Sequence, residues 1–178
     1  LVGEDRVFTP ASRSLRMRLP WMVFNLLTAI LAASVVGLFE GTIVQVVALA
    51  TFMPIVAGMG GNGLTQTITV VVRGIALGEL EFSSARRVIL KEVSVNVCIA
   101  VVTGIIMALV AYAWKGNPFL GVVLMLAMIM NLGLIAGLFG ALIPLTLKWL
   151  GLDPALGSAV IGTTFTDVFG FFSFLGLA

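Results

Sequence analysis

Five long stretches of this sequence carry almost no charge, and each is long enough to cross a membrane. They cover about residues 20–39, 42–77, 93–114, 119–147 and 155–178. A helix of roughly 20 apolar residues spans the hydrocarbon core of a bilayer, so these lengths predict five membrane-spanning helices. Only 10% of the residues are charged, whereas about a quarter are charged in a soluble domain. The sequence therefore predicts an all-α integral membrane protein.

The distribution of basic residues predicts the orientation of the chain. With the N-terminus in the cytoplasm, every basic residue except Lys115 falls in a cytoplasmic segment, as the positive-inside rule requires. We therefore expect a cytoplasmic N-terminus and an external C-terminus. Residues 1–19 are expected to form a cytoplasmic or interfacial lead-in, with Pro20 in the first helical turn, and residues 20–178 a single transmembrane domain. The basic residues form no continuous stripe, so no nucleic-acid partner is expected.

The last apolar stretch contains a single carboxylate, Asp167, about halfway along. An ionised side chain at that depth costs roughly 2.5–3.5 kcal/mol on insertion scales, and it normally faces a bundle interior, a partner or a water-filled path. Asp167 is therefore a candidate ion or proton site. A protonated Asp167 that is hydrogen-bonded to a neighbouring helix is the structural alternative.

The second apolar stretch is interrupted by Pro54 and by the glycine-rich residues 58–63. Because proline removes a backbone donor and glycine favours helix poorly, the helix is expected to break or loosen there. The freed carbonyl oxygens, with Asn62 and Gln66, would then lie beside a cation path. Close helix packing through glycine is the alternative, and it is favoured for residues 133–137 of the fourth stretch. Asn131 is the buried polar residue of that stretch.

The composition restricts the ions that the protein could bind. With no histidine and one cysteine, no Cys/His cluster for a transition metal is available, and oxygen ligands suit Mg²⁺, Ca²⁺, Na⁺ or protons. One carboxylate supplies few ligands and only one negative charge for a divalent cation. Two copies of the chain on a two-fold axis would bring two Asp167 side chains together. Without a dication such a pair would tend to share a proton. Mg²⁺ keeps several waters and fits a site with few ligands better than Ca²⁺ does.

Three segments of the sequence resemble the transmembrane domain of the MgtE family of magnesium channels, and the resemblance covers essentially the whole chain. The segments are Met59-Gly60-Gly61-Asn62-Gly63-x-Thr65-Gln66, then Arg73 to Glu79, and Asp153-Pro154 with Gly162-Thr163-Thr164-x-Thr166-Asp167-x-x-Gly170-Phe171. The resemblance implies a two-fold homodimer of five-helix bundles with the pore on the axis. It also implies that Asp167 holds a hydrated Mg²⁺ in this pore.

The residues of the second and fifth helices that this interpretation places along the pore are Gly58, Gly60, Gly61, Asn62, Gly63, Thr163, Thr164 and Thr166. The resemblance further implies a multi-pass protein of the inner (plasma) membrane, with a second copy, lipid and divalent cations as partners. Family members also carry a cytosolic acidic domain and paired CBS domains, joined by a linker helix that gates the pore when Mg²⁺ binds. None of these lies in this sequence, so the chain is interpreted as the membrane part.

The favoured hypothesis is a Mg²⁺-selective channel that moves Mg²⁺ down its electrochemical gradient and catalyses no chemical reaction. The first alternative is a proton- or sodium-coupled cation carrier in which Asp167 titrates. The second is a membrane scaffold that transports nothing. An enzyme is not expected, because no Ser/His, Asp/Asp or His-rich metal arrangement is present.

Overall fold

Helices make up almost all of the structure. The computed structural model describes residues 8–80 and 84–178, without the side chain of Leu156, and it contains no β-strand in these ranges. The elements are α1 (Ala11–Leu38), α2 (Glu40–Gln45), α3 (Ala48–Ala76), α4 (Ala85–Lys115), α5 (Pro118–Met128), a π-helix (Ile129–Ala136), α6 (Gly137–Trp149) and α7 (Pro154–Leu177). The π-helix joins α5 to α6 in one span, so five helices are long and apolar enough to cross a membrane. The predicted all-α, five-span class is confirmed.

The first helix begins earlier than the sequence suggested. α1 starts at Ala11, after Pro10, and Pro20 lies inside it, so the placement of Pro20 in the first turn was wrong. A proline inside a helix removes one backbone hydrogen bond. Pro20 is exposed, and most of α1 is exposed with it, because α1 packs mainly against α7.

The predicted break in the second span is also wrong. α3 runs without interruption from Ala48 to Ala76, through Pro54 and the glycines. Gly60 and Gly63 are buried, and a Cβ at either position would overlap the side chains of Asn131 and Leu132. Each glycine costs a helix about 0.8–1.0 kcal/mol relative to alanine, but close packing of neighbouring helices offsets such propensities.

Glycines also bring α4 close to the fourth span, as predicted for residues 133–137. The close pairs across this contact are Gly104 with Met125, Gly121 with Ala108, Gly133 with Val97 and Gly137 with Val93. Two of these contacts, Gly104 with Met125 and Gly133 with Val97, are separated by eight residues along the fourth span. Along α4 the same two contacts are separated by seven residues. The π-helix takes up the additional residue in its wider turns and keeps both groups of glycines facing α4.

The turns before α5 and α7 follow from their sequences. Gly116 adopts a left-handed conformation with φ 68°, and the Asn117 side chain accepts a hydrogen bond from the backbone N–H of Phe119. Asp153 similarly accepts from the N–H of Ala155 at 2.9 Å. In both helices a proline occupies the first turn, where a missing N–H costs nothing.

The last helix, α7, is the central element of the bundle. It packs against α1, α3, α5, α6 and the π-helix. Gly162 of α7 lies against Leu64 of α3, and Gly170 lies beside Asn131, which also contacts Gly60 of α3. Residue numbers rise on one helix as they fall on the other, so α3 and α7 are antiparallel. This arrangement places the middle of α7 beside the glycine-rich half of α3.

Candidate functional site

Asp167 lines a cavity between α1, α3 and α7. The cavity has a volume of about 460 Å³, and its wall is formed by Ala29, Ala32, Ala33, Val36, Ala57, Asp167 and Phe171. Asp167 supplies the only charge in this wall, and the alanines of α1 and α3 keep the space open. The carboxylate therefore faces a cavity that is otherwise apolar and wide enough for several water molecules.

No described residue neutralises or hydrogen-bonds the carboxylate of Asp167 within one chain. The side chain is half-buried, and residues 8–80 and 84–178 supply it with neither an ion pair nor a hydrogen-bond donor. In the same ranges, no three His, Cys, Asp or Glu side chains come together in a way that could hold a metal ion. The interhelical hydrogen bond of the structural alternative is thus not made among these described residues.

The three threonines before Asp167 use their hydroxyl protons on their own helix. Thr163 and Thr164 both donate to the carbonyl oxygen of Val160, at 3.1 and 3.0 Å. Thr166 donates to the carbonyl oxygen of Thr163 at 3.1 Å, and it is fully buried. Thr163 and Thr164 are half-buried and keep oxygen lone pairs free to accept, whereas Thr166 points into the bundle.

One face of α3 is polar and exposed. Residues spaced three or four apart in an α-helix share a face, and the exposed residues with this spacing are Gly58, Asn62, Thr65, Gln66 and Thr69. The hydroxyls of Thr65 and Thr69 donate to carbonyl oxygens one turn back. Because polar groups are costly in lipid, this polar face of α3 needs water or a protein partner beside it.

The structure separates the glycines that the sequence grouped as pore-lining. A Cβ at Gly58 or Gly61 would meet no atom within 4 Å, so these two positions are open. Gly60 and Gly63 are buried against the fourth span instead. The open glycines thus lie with Asn62 toward the polar face of α3, while the buried pair fixes the position of that helix.

Asn131 lies at the centre of the contact between α3, α7 and the π-helix. Its side chain is fully buried, and Nδ2 donates to the carbonyl oxygen of Val56 at 3.0 Å. Its Oδ1 is the one buried side-chain oxygen or nitrogen without a hydrogen-bond partner among the described residues. Such an orphan costs about 1–3 kcal/mol. The sequence showed only a lone polar residue in an apolar stretch, and it gave no sign of this contact.

A second buried polar network, which the sequence did not reveal, joins α3 to α4. Nδ2 of Asn96 donates to the hydroxyl oxygen of Thr67 at 2.8 Å and to the carbonyl oxygen of Glu92 at 2.9 Å. The Glu92 side chain is buried, and its Oε1 lies 2.5 Å from Nζ of Lys91. The Asn96–Thr67 hydrogen bond links α4 to α3, whereas the carboxylate of Glu92 pairs with Lys91 on α4 itself.

Fold and site together define a multi-pass membrane protein with a carboxylate on the wall of an open cavity along a membrane-spanning helix, an arrangement typical of proteins that bind or move cations. Residues 53–177 match the family model MgtE, described as a divalent cation transporter. The chain belongs to this family, as the resemblance of its motifs indicated.

Relatives of this chain bear the same family name. It is 36% identical over 177 residues to the magnesium transporter MgtE of Bacillus subtilis (strain 168). The aligned segment is 99% of this chain and 39% of that protein. It is 34% identical over 161 residues to the magnesium transporter MgtE of Thermus thermophilus, and the aligned segment is 90% of this chain and 35% of that protein. The magnesium transporter MgtE of Enterococcus faecalis is 33% identical over 167 residues, with 94% of this chain and 37% of that protein covered. The chain thus spans well under half of the length of these relatives.

Proposed function

We propose that this chain forms a path for Mg²⁺ across the membrane and that Asp167 holds the hydrated ion on the way. The observation that carries the proposal is a carboxylate midway along a membrane-spanning helix, which lines a cavity of about 460 Å³ and has no partner among the described residues. The relatives named as magnesium transporters supply the identity of the ion. Mg²⁺ is here the cargo of the protein, and no chemical reaction is involved.

The size and the ligands of the cavity suit a hydrated Mg²⁺. Mg²⁺ prefers six ligands and releases water reluctantly. Six waters at about 30 Å³ each take up roughly 180 Å³, which fits within the cavity. Protein sites for Ca²⁺ usually supply several carboxylate and carbonyl oxygens in direct contact, whereas this wall supplies one carboxylate. We therefore propose that the waters of the ion donate hydrogen bonds to Asp167.

A homodimer is the assembly that best completes this site. A single chain offers one negative charge to a doubly charged ion, and a two-fold axis beside α7 would bring a second Asp167 to it. The polar face of α3 supports the same arrangement, because Asn62 and Gln66 lie exposed on it and would face a water-filled path between two copies. In this assembly the N-terminus is cytoplasmic and the C-terminus lies outside the inner (plasma) membrane.

Within this assembly the predicted pore-lining residues divide into two groups. We assign the walls of the path to Gly58, Gly61, Asn62, Thr163 and Thr164, which are open or at least partly exposed in one chain. Gly60, Gly63 and Thr166 lie behind them and hold α3 and α7 in place. The longer relatives are consistent with further cytosolic domains, the predicted acidic and CBS domains, and gating by such domains is part of the proposal.

Calorimetric titration of the detergent-solubilised chain with Mg²⁺ tests the proposal. Wild type, Asp167→Asn and Asp153→Asn are compared. Asp153 is a matched control, because it lies on the same helix, at the N-cap, where asparagine caps as well as aspartate does. We expect Asp153→Asn to bind like wild type and Asp167→Asn to lose binding. Equal binding by all three folded proteins would overturn the assignment of Asp167.

A further inference from the structure

We propose that Asn131 is a positioning residue for Asp167, because its amide sets the separation of α3 from α7 and thereby the width of the cation cavity. The proposal rests on the proposed function, since it concerns the cavity that Asp167 lines. Asn131 makes no contact with the ion in this scheme. It acts through the two helices that form two of the three walls.

The amide of Asn131 lies one helical turn from the cavity on both helices. On α7 it contacts Gly170, three residues after Asp167, and on α3 it contacts Gly60, three residues after Ala57. Three residues of α-helix rise about 4.5 Å. Nδ2 also donates to the carbonyl oxygen of Val56, the neighbour of Ala57. Ala57 of α3 and Asp167 of α7, which both line the cavity, thus lie about one helical turn from the points that Asn131 contacts.

Only glycine fits on either side of this amide. A Cβ at Gly60 would lie 2.8 Å from Cγ of Asn131, and a Cβ at Gly170 would lie 2.9 Å from the same atom. Both are closer than real Cβ contacts, so the amide itself fills the space between α3 and α7. The distance between the two helices at this level is therefore set by the size of one side chain.

Oδ1 of Asn131 has no hydrogen-bond partner among the described residues, so the amide contributes less stability there than a fully paired one would. An apolar side chain at this position would leave no buried acceptor unsatisfied, and buried polar atoms in proteins are nearly always hydrogen-bonded. Asn131 lies in the π-helix, whose additional residue fixes the register of the fourth span against α4. Local features that cost stability but fix geometry are typical of positions that serve a site.

A double-mutant cycle in the Mg²⁺ and Ca²⁺ titrations tests the proposal. Gly170→Ala adds a methyl group where the Asn131 amide lies, so we expect α7 to move and Mg²⁺ affinity to fall about tenfold, or 1.4 kcal/mol. Asn131→Ala vacates that space, so the double variant should return to within about threefold of wild type. Gly162→Ala is the matched control, because Gly162 of α7 lies against Leu64 and not against Asn131. Asn131→Ala should not rescue this control.

Two further measurements keep each outcome decisive. The ratio of Mg²⁺ to Ca²⁺ affinity should change in Asn131→Ala alone and recover in the double variant, which a loss of stability would not produce. If Gly170→Ala alone does not fold, Asn131→Ala and the double variant still test the positioning role. The positioning role is overturned if the ratio of Mg²⁺ to Ca²⁺ affinity is unchanged in Asn131→Ala, or if it does not recover in the double variant. Asp167→Asn would still abolish binding in that case, so the proposed function would stand. Unchanged binding in Asp167→Asn would overturn the proposed function, and this proposal with it.

Discussion

The side-chain amide of Asn131 donates a hydrogen bond to the backbone carbonyl of Val56, 3.0 Å away, and so joins the π-helix to α3. Val56 lies next to Ala57, which shares a cavity wall with Asp167. The ion site that we propose is therefore supported by a helix that does not line it. The cavity therefore depends on helix packing as well as on its one charged residue.

The buried and open glycines of α3 should respond differently to valine. Gly60→Val and Gly63→Val should lower the free energy of unfolding by about 1–3 kcal/mol, because the new side chains overlap Asn131 and Leu132. Gly58→Val and Gly61→Val should fold normally and slow Mg²⁺ flux by narrowing the path. Thermal unfolding in detergent and flux into liposomes measure the two effects. Equal destabilisation by all four substitutions would remove the distinction between packing and path-lining glycines.

The amides on the polar face of α3 should contribute to ion binding and little to stability. Asn62→Ala and Gln66→Ala replace exposed side chains, so the melting temperature should change little while Mg²⁺ binding weakens several-fold, as loss of about one hydrogen bond implies. Ser94→Ala is the control, because Ser94 is exposed on α4 and donates to its own helix. Unchanged Mg²⁺ titrations for both amide variants would place the path elsewhere.

Filling the cavity from the side of α1 should exclude the hydrated ion. Ala33→Leu introduces bulk into the cavity wall, so Mg²⁺ affinity should fall at least tenfold although Asp167 is intact. Ser34→Leu, at the adjacent exposed position outside the cavity wall, is the control and should bind normally. If Ala33→Leu binds Mg²⁺ like wild type, the ion does not occupy this cavity.

The driving force for transport distinguishes a channel from a coupled carrier. In liposomes, Mg²⁺ uptake should follow the Mg²⁺ gradient and the membrane potential, and it should persist when ionophores collapse the proton and sodium gradients. The potential is worth about 2.3 kcal/mol per charge per 100 mV, so a divalent ion should respond strongly to it. Uptake that stops when either gradient is collapsed would favour the carrier in which Asp167 titrates.

Among the features that depend on local sequence, the five spans were predicted correctly, whereas the placement of Pro20 in the first helical turn was wrong. The five spans follow from apolar length, and the turns before α5 and α7 follow from Gly116, Asn117 and Asp153, whose roles are set by their own backbone. Asp167 was selected as a candidate ion site because it is a lone carboxylate in an apolar stretch, and this assignment stays a prediction. The length of α7 was enough to predict that Asp167 lies midway along it. The cavity beside Asp167 depends on how α1, α3 and α7 pack, which the sequence does not show.

Most features that depend on tertiary packing were not predicted, and the close glycine packing at residues 133–137 is the exception. Pro54 and the glycines after it favour a broken helix in isolation, yet α3 is continuous because Gly60 and Gly63 pack closely on the fourth span. The π-helix arises from the register between the fourth span and α4, which no local pattern encodes. The position of Asn131 between Gly60 and Gly170 depends on the packing of α3 and on the register of the π-helix. The sequence could therefore show only that Asn131 is polar and lies in an apolar stretch.

The most direct test of the central claim is Mg²⁺ flux into liposomes that contain the purified chain, followed with a Mg²⁺-sensitive dye trapped inside. Wild type, Asp167→Asn and the N-cap control Asp153→Asn are reconstituted at equal density. If the account is correct, Asp153→Asn conducts like wild type, and Asp167→Asn is folded but its flux falls at least about tenfold, the equivalent of 1.4 kcal/mol. Wild-type flux in a folded Asp167→Asn would contradict the claim that this carboxylate holds the ion.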